Sequence, residues 1–157
     1  MSATTTFDAT AARVLREIAF IDIAVPEASI LMQAMPAGTE VVFIHEGAPG
    51  LAQMAGHLAG RSGVDAIHLI SHGRPGALQL AGEWVTIETI EAQRGHLQVI
   101  GSVLAEHGDF LIYGCEVARG EAGAALVRRI AAMTRADIAA STTLTGAAEQ
   151  GGDWLLD

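Results

Sequence analysis

The chain has 157 residues, half of them apolar, which is enough for one substantial core and gives no reason to expect two domains. Nine arginines, no lysine and a formal charge of −9 exclude the basic surface that phosphate binding needs. No nucleic-acid partner is therefore expected, and a cationic substrate is better tolerated. Cys115 is the single cysteine, so an internal disulfide framework and a multi-cysteine zinc site are both excluded. Apolar segments such as 17–23 and 109–113 fall far short of the roughly 20 residues of a spanning helix, so no membrane insertion is expected. The first ten residues lack the basic stretch and apolar run of a secretory signal.

In chain order, residues 1–16 are small and polar and read as a flexible leader. EIAFID (17–22) is an apolar run of strand length. Pro26 suits the first position of a helix, and Ile30, Leu31 and Met35 give that helix an apolar stripe before Gly38. EVVFIHE (40–46) is the second strand, residues 50–61 an amphipathic helix, and DAIHLIS (65–71) the third strand. Strands apolar on both faces that alternate with helices predict an α/β three-layer sandwich around a mainly parallel sheet. The alternation breaks after His72, where GALQLAGEWVTI (76–87) has period-two apolar residues around Ala81-Gly82 and predicts a β-hairpin insertion. A helix over 87–106, a buried strand DFLIY (109–113), a helix over 120–133 and a strand ADIAAS (136–141) follow. GGDWLLD (151–157) reads as the opening of another strand, as if the domain were excised from a longer chain.

Two strand ends carry unusual chemistry. The third strand runs into Ser71-His72-Gly73 and the fourth into Tyr113-Gly114-Cys115-Glu116. Loops at the carboxyl ends of parallel strands are where reactive groups collect, because the sheet holds their bases while their tips vary. If those strands are neighbours, the loops start about 5 Å apart and flank one peptide. A thiolate is a strong nucleophile, imidazole suits acid and base work near neutrality, and Gly73 leaves its N–H approachable beside that of Cys115 for an oxyanion. A helix starting near Gly120, with Arg119, favours a thiolate, whereas Glu116 opposes it.

At AIHLISHG and DFLIYGC the chain resembles the caspase-like cysteine peptidases, a group that includes caspases, gingipains, legumains and toxin autoprocessing domains. More narrowly, EIAFID, SGVDAIHLISHG, GALQL, LIYGCEVA and ASTTLTGAAEQGGDW resemble the uncharacterised DUF4347 domain of very large bacterial surface or secreted proteins. The resemblance implies a caspase-like fold over residues 17–157, a secreted or cell-surface setting, and a peptide or protein substrate that includes the parent polypeptide. It matches His72 to the catalytic histidine, Cys115 to the nucleophile and Gly73 to the oxyanion donor. It also places Asp22 at the base of a pocket selecting Arg or Lys, Glu116 among the substrate contacts, and Ser141, Thr142 and Thr143 along the substrate groove. No cofactor and no metal is implied. The simpler readings are a turn-forming Asp22 and an ordinary polar loop at 141–143.

Other residues read as structural. His45 and His68 fall in apolar strands, and His57, His96 and His107 on helices or helix ends, with no His-x-x-x-His pair for zinc. Trp84 packs in the hairpin or walls the cleft, and Trp154 packs in the terminal strand. Three residues separate Cys115 from Arg119, where a phosphatase loop needs five. There is no phosphate loop of the Walker type, because there is no lysine, and no Gly-x-Ser-x-Gly elbow. Two functions remain in contention: a cysteine endopeptidase that cleaves after a basic residue, and an inactive module of a large adhesin that keeps a peptidase fold.

Overall fold

The computed structural model of the protein describes residues 15–26 and 28–141. The elements are β1 (Glu17–Asp22), α1 (Ala28–Ala34), β2 (Glu40–Ile44), α2 (Gly50–Leu58), β3 (Val64–Ile70), β4 (His72–Arg74), β5 (Ala77–Leu80), β6 (Glu83–Thr86), α3 (Arg94–Val103), β7 (Leu104–Tyr113), α4 (Gly120–Thr134) and β8 (Asp137–Ala140), with a 3-10 turn at Ile90–Gln93. Five strands form one parallel sheet in the order β2-β1-β3-β7-β8, and β4, β5 and β6 form a separate antiparallel sheet.

Strand residues of the large sheet alternate between two faces, as a period of two requires. Ile18, Phe20, Ile67, Leu69, Phe110 and Ile112 enter one cluster with Leu51, Met54 and Leu58 of α2, Leu97 and Ile100 of α3, and Leu126 and Ile130 of α4. Phe20 and Phe110 are almost wholly buried, each contributing roughly 2–3 kcal/mol by removal from water. Ala19, Ile21 and Ile70 face the other way and are buried too. The β1-to-β2 crossover runs opposite to the later ones, so a right-handed connection places α1 on that second face. This is the expected three-layer α/β architecture with an antiparallel insert after β3.

The structure corrects several boundaries. The helix expected to reach residue 106 stops at Val103, where Leu104 turns extended and donates its N–H to Gly101 O. Leu104, Ala105 and Glu106 suit a helix, but tertiary packing overrides them. Val64 pairs with Leu104 and Ala66 with Asp109, so the residues between are accommodated in a bulge. His107, expected at a helix end, lies in that bulge at φ 66. His45 lies one residue beyond β2, where the Gln53 side chain takes both its N–H (3.1 Å) and its carbonyl (2.6 Å).

The insertion is larger than a hairpin. β5 and β6 pair around Ala81-Gly82 as expected, and β4 adds a third strand through the turn at Pro75-Gly76. Ala81 and Gly82 both have positive φ, 53 and 82, as a primed two-residue turn demands. The strain at Ala81, about 1 kcal/mol, is offset by its N–H, which donates to Asp22 Oδ2 at 2.8 Å. Thr142, Thr143, Trp154 and the expected terminal strand lie outside the described residues.

Candidate active site

β3 and β7 are neighbours in parallel register, with Ile70 opposite Tyr113. His72 and Cys115 each stand two residues beyond that pair, so matching positions on adjoining strands lead to the imidazole and the thiol. Ser71 continues the ladder by donating its N–H to Tyr113 O at 3.3 Å. The two chains then touch through glycine. A Cβ on Gly73 would lie 2.9 Å from the carbonyl carbon of Gly114 and 3.0 Å from both N and O of Cys115. Those are backbone atoms with nowhere to retreat, so only glycine permits the approach. On the other side, a Cβ on Gly114 would meet Leu78 Cδ2 at 3.1 Å.

β4 and β5 are joined by two residues, with Arg74 opposite Ala77 and Gly73 opposite Leu78. In such a connection the flanking pair is hydrogen-bonded and the next pair is not. The N–H of Gly73 therefore points away from β5, out of the ladder.

His72 spans a second junction. Its Nε2 lies 3.0 Å from Ala24 O, in the turn after β1. A carbonyl only accepts, so Nε2 carries the hydrogen, and Nδ1 is the basic nitrogen of the neutral ring. The order β2-β1-β3 reverses direction between β1 and β3. The bond bridges that reversal, and the crevice at such a point is where open parallel sheets bind ligands.

Asp22 ends β1 with 3% exposure. Its Oδ1 accepts the N–H of Ala24 at 2.9 Å and its Oδ2 that of Ala81 at 2.8 Å. The carboxylate thus pins the turn carrying Ala24 to the tip of the small sheet. No cationic side chain among the described residues forms an ion pair with it.

The loop after Cys115 is tightly wound. Glu116 sits at φ 55 and Gly120 at φ 73. Val117 N–H reaches Gly114 O at 3.2 Å, and Arg119 N–H reaches Glu116 O at 2.9 Å. Side-chain additions at Gly123 would overlap the carbonyl of Ala118. Cys115 is partly exposed. The guanidinium of Arg119, expected to favour a thiolate, pairs with the carboxylate of Glu116. Ser141 is fully buried, and its carbonyl accepts the N–H of Ala118 at 2.9 Å, which ties the end of β8 to the loop after Cys115.

Away from this edge, His68 is a sheet histidine, as expected. Its Nε2 lies 2.7 Å from Glu17, and Tyr113 Oη lies 3.4 Å from its Nδ1. Burial and the charge of Glu17 push the Tyr113 hydroxyl upward, so it stays protonated. A cavity of about 490 Å³ opens at the amino edge of the sheet, among Arg16, Glu17, Glu40, Arg61 and Ser62. It lies at the opposite end from His72 and Cys115, and within it Glu40 is paired with Arg61. Among the described residues, no cluster of three or more His, Cys, Asp or Glu is placed to hold a metal ion, and no helix is long and apolar enough to cross a membrane.

Sequence reasoning missed two things here: the short strand β4, and the double use of Asp22 as a structural pin. No curated protein and no solved structure matches the chain. A family model described as a domain of unknown function, DUF4347, matches residues 18–157, and the chain belongs to that family.

Proposed function

We propose that the protein is a cysteine endopeptidase that uses His72 and Cys115 on a peptide laid across the carboxyl edge of the sheet. The observation that carries this reading is the packing of Gly73 on the Gly114–Cys115 peptide, which makes one surface of two otherwise separate loops. His72 Nδ1 takes the proton of Cys115 Sγ, and the thiolate attacks the scissile carbonyl carbon. The oxygen gains the electron pair and meets the N–H groups of Gly73 and Cys115. The imidazolium gives its proton to the amine as the C–N bond breaks. Water, deprotonated by His72, then attacks the thioester, and the departing sulfur recovers a proton.

A basic residue on the acyl side is supported by Asp22. A buried carboxylate held only by neutral N–H donors lacks a countercharge, and an arriving Arg or Lys supplies one. The parent polypeptide is the nearest source of such segments.

The test is alkylation of Cys115 by a peptidyl ketone ending in Arg. Labelling is expected to run at least about a hundredfold faster in the native chain than in urea, and to fall to the urea rate in His72→Ala. Equal rates in native and unfolded chains overturn the proposal. One observation favours a second reading, an inert module of a larger protein: Arg119, the cation expected to favour a thiolate, is already paired with Glu116. Equal rates are what that reading expects.

A further inference from the structure

The small sheet has two unlike faces. Gly73, Leu78 and Val85 share one row by register. Leu78 and Leu80 on that side are nearly sealed, so this face packs on the core. The opposite face carries His72, Gln79 and Trp84 in one row, with Arg74 and Ala77 in the next. Arg74 reaches over Ala77, whose short side chain does not intervene, and lays its guanidinium on the Trp84 ring, 4.0 Å from the centroid.

Stacking fixes the plane of the guanidinium and leaves its in-plane N–H donors directed outward. Among the described residues no carboxylate pairs with Arg74, although Arg61, Arg94, Arg119 and Arg129 each have one. In a chain of net charge −9, an exposed arginine held rigid without an acid is a preformed receptor for one. It lies two residues along β4 from His72 and on the same face, about 6.6 Å away along the strand, roughly the rise of two extended substrate residues.

We propose that Arg74, braced by Trp84, is a specificity determinant that receives an Asp or Glu side chain of the substrate within two residues of the scissile bond. The proposal rests on the peptidase reading and adds the substrate class: a segment carrying an acid near the cleaved bond.

Two measurements separate this proposal from that reading. First, a peptide mixture randomised around the cleavage position is incubated with the full chain and the products are sequenced by mass spectrometry. Acidic residues are expected at one flanking position in about tenfold excess over Asn and Gln. Arg74→Gln is expected to abolish the excess, so that acidic and neutral peptides are cut at similar rates. Arg74→Lys and Trp84→Leu are each expected to retain only part of it. Second, a fluorescein-labelled Glu-containing octapeptide and its Gln counterpart are titrated into Cys115→Ala by anisotropy. The Glu peptide is expected to bind about tenfold tighter, less so at high salt, and the difference is expected to vanish when Arg74→Gln is added. Cleavage without acidic preference, or a preference that survives Arg74→Gln, overturns the proposal and leaves the dyad standing. Arg74-dependent binding with no cleavage of the peptide mixture by the native chain keeps the acidic recognition and removes the peptidase reading. Equal binding of the two octapeptides overturns the proposal whether or not any peptide is cut.

Discussion

The two ends of the parallel sheet treat their polar groups in opposite ways. At the amino edge side chain meets side chain: Glu40 takes Arg61 at 2.6 Å and His57 at 2.6 Å, and Glu17 takes His68 at 2.7 Å. At the carboxyl edge, the Glu116–Arg119 pair apart, the groups meet backbone. Asp22 accepts two N–H groups, His72 donates to a carbonyl, and Gly73 presses on a peptide plane. Side chains bonded to each other are occupied. Side chains oriented by neutral backbone dipoles keep their charge or basicity for a further partner, which is how a reactive site is held in place.

Two glycines, one at each end, provide the sharpest way to break this contrast. A Cβ on Gly101 would overlap the carbonyl oxygen of Thr134, where α3 crosses α4. Gly101→Ala is expected to cost about 3 kcal/mol in urea unfolding and to leave Cys115 labelling of the folded chain unchanged. Gly73→Ala is expected to cost about 1–3 kcal/mol, and also to slow peptidyl-ketone labelling by about a hundredfold, because the displaced loop carries the proposed oxyanion donor. If both variants reduce labelling alike, the two ends are not functionally distinct.

Asp22→Asn sharpens the comparison at intermediate cost. The amide turns a donor toward one of two backbone N–H groups, and about 1–3 kcal/mol of stability is expected to be lost. Selection for Arg over Gln in the labelling peptide is expected to disappear with the charge, as measured by competition between the two ketones. Unchanged selection would leave Asp22 with its structural role alone.

The smallest effect is expected at the amino edge. The Arg61 guanidinium, and then His57, hold the Glu40 carboxyl down at about 2, against an ordinary 4.5. The folded value is lowered, so the stabilisation is complete above pH 4.5 and is lost as pH falls toward 2. The Glu40 side chain is 40% exposed, and solvent screening limits the gain to under about 1 kcal/mol. The stability difference between the native chain and Glu40→Gln, followed by urea titration, should shrink on acidification. A difference that stays constant from pH 6 to pH 2 contradicts the pairing.

How much of this was legible beforehand varied with the source of the order. Strands β1 and β3 announce themselves because runs such as EIAFID have one physical solution, burial on both faces of a parallel sheet. The insert after β3 was also visible, since period-two apolar residues flank Ala81-Gly82. Strand β4 was not, because His-Gly-Arg before Pro-Gly carries no strand propensity and is extended only through its pairing with β5. The end of α3 was hidden for a related reason. Leu104-Ala105-Glu106 favours a helix, and only the return to the sheet beside Val64 forces it open. Of the candidate site, strand-end position was readable for His72, Cys115, Gly73 and Asp22. The partners of Asp22 and the stacking of Arg74 on Trp84 were not, because they join residues brought together only by the folded insert.

The shared register of β3 and β7 has a bearing on how this domain tolerates length changes. Imidazole and sulfur are aligned by counting, two residues past a paired position on each rail. One residue added between Ala66 and His72, or between Asp109 and Cys115, would turn every later side chain to the opposite side. The stretch from residue 87 through α3 bears no such count, so indels should accumulate there and be purged within the rails.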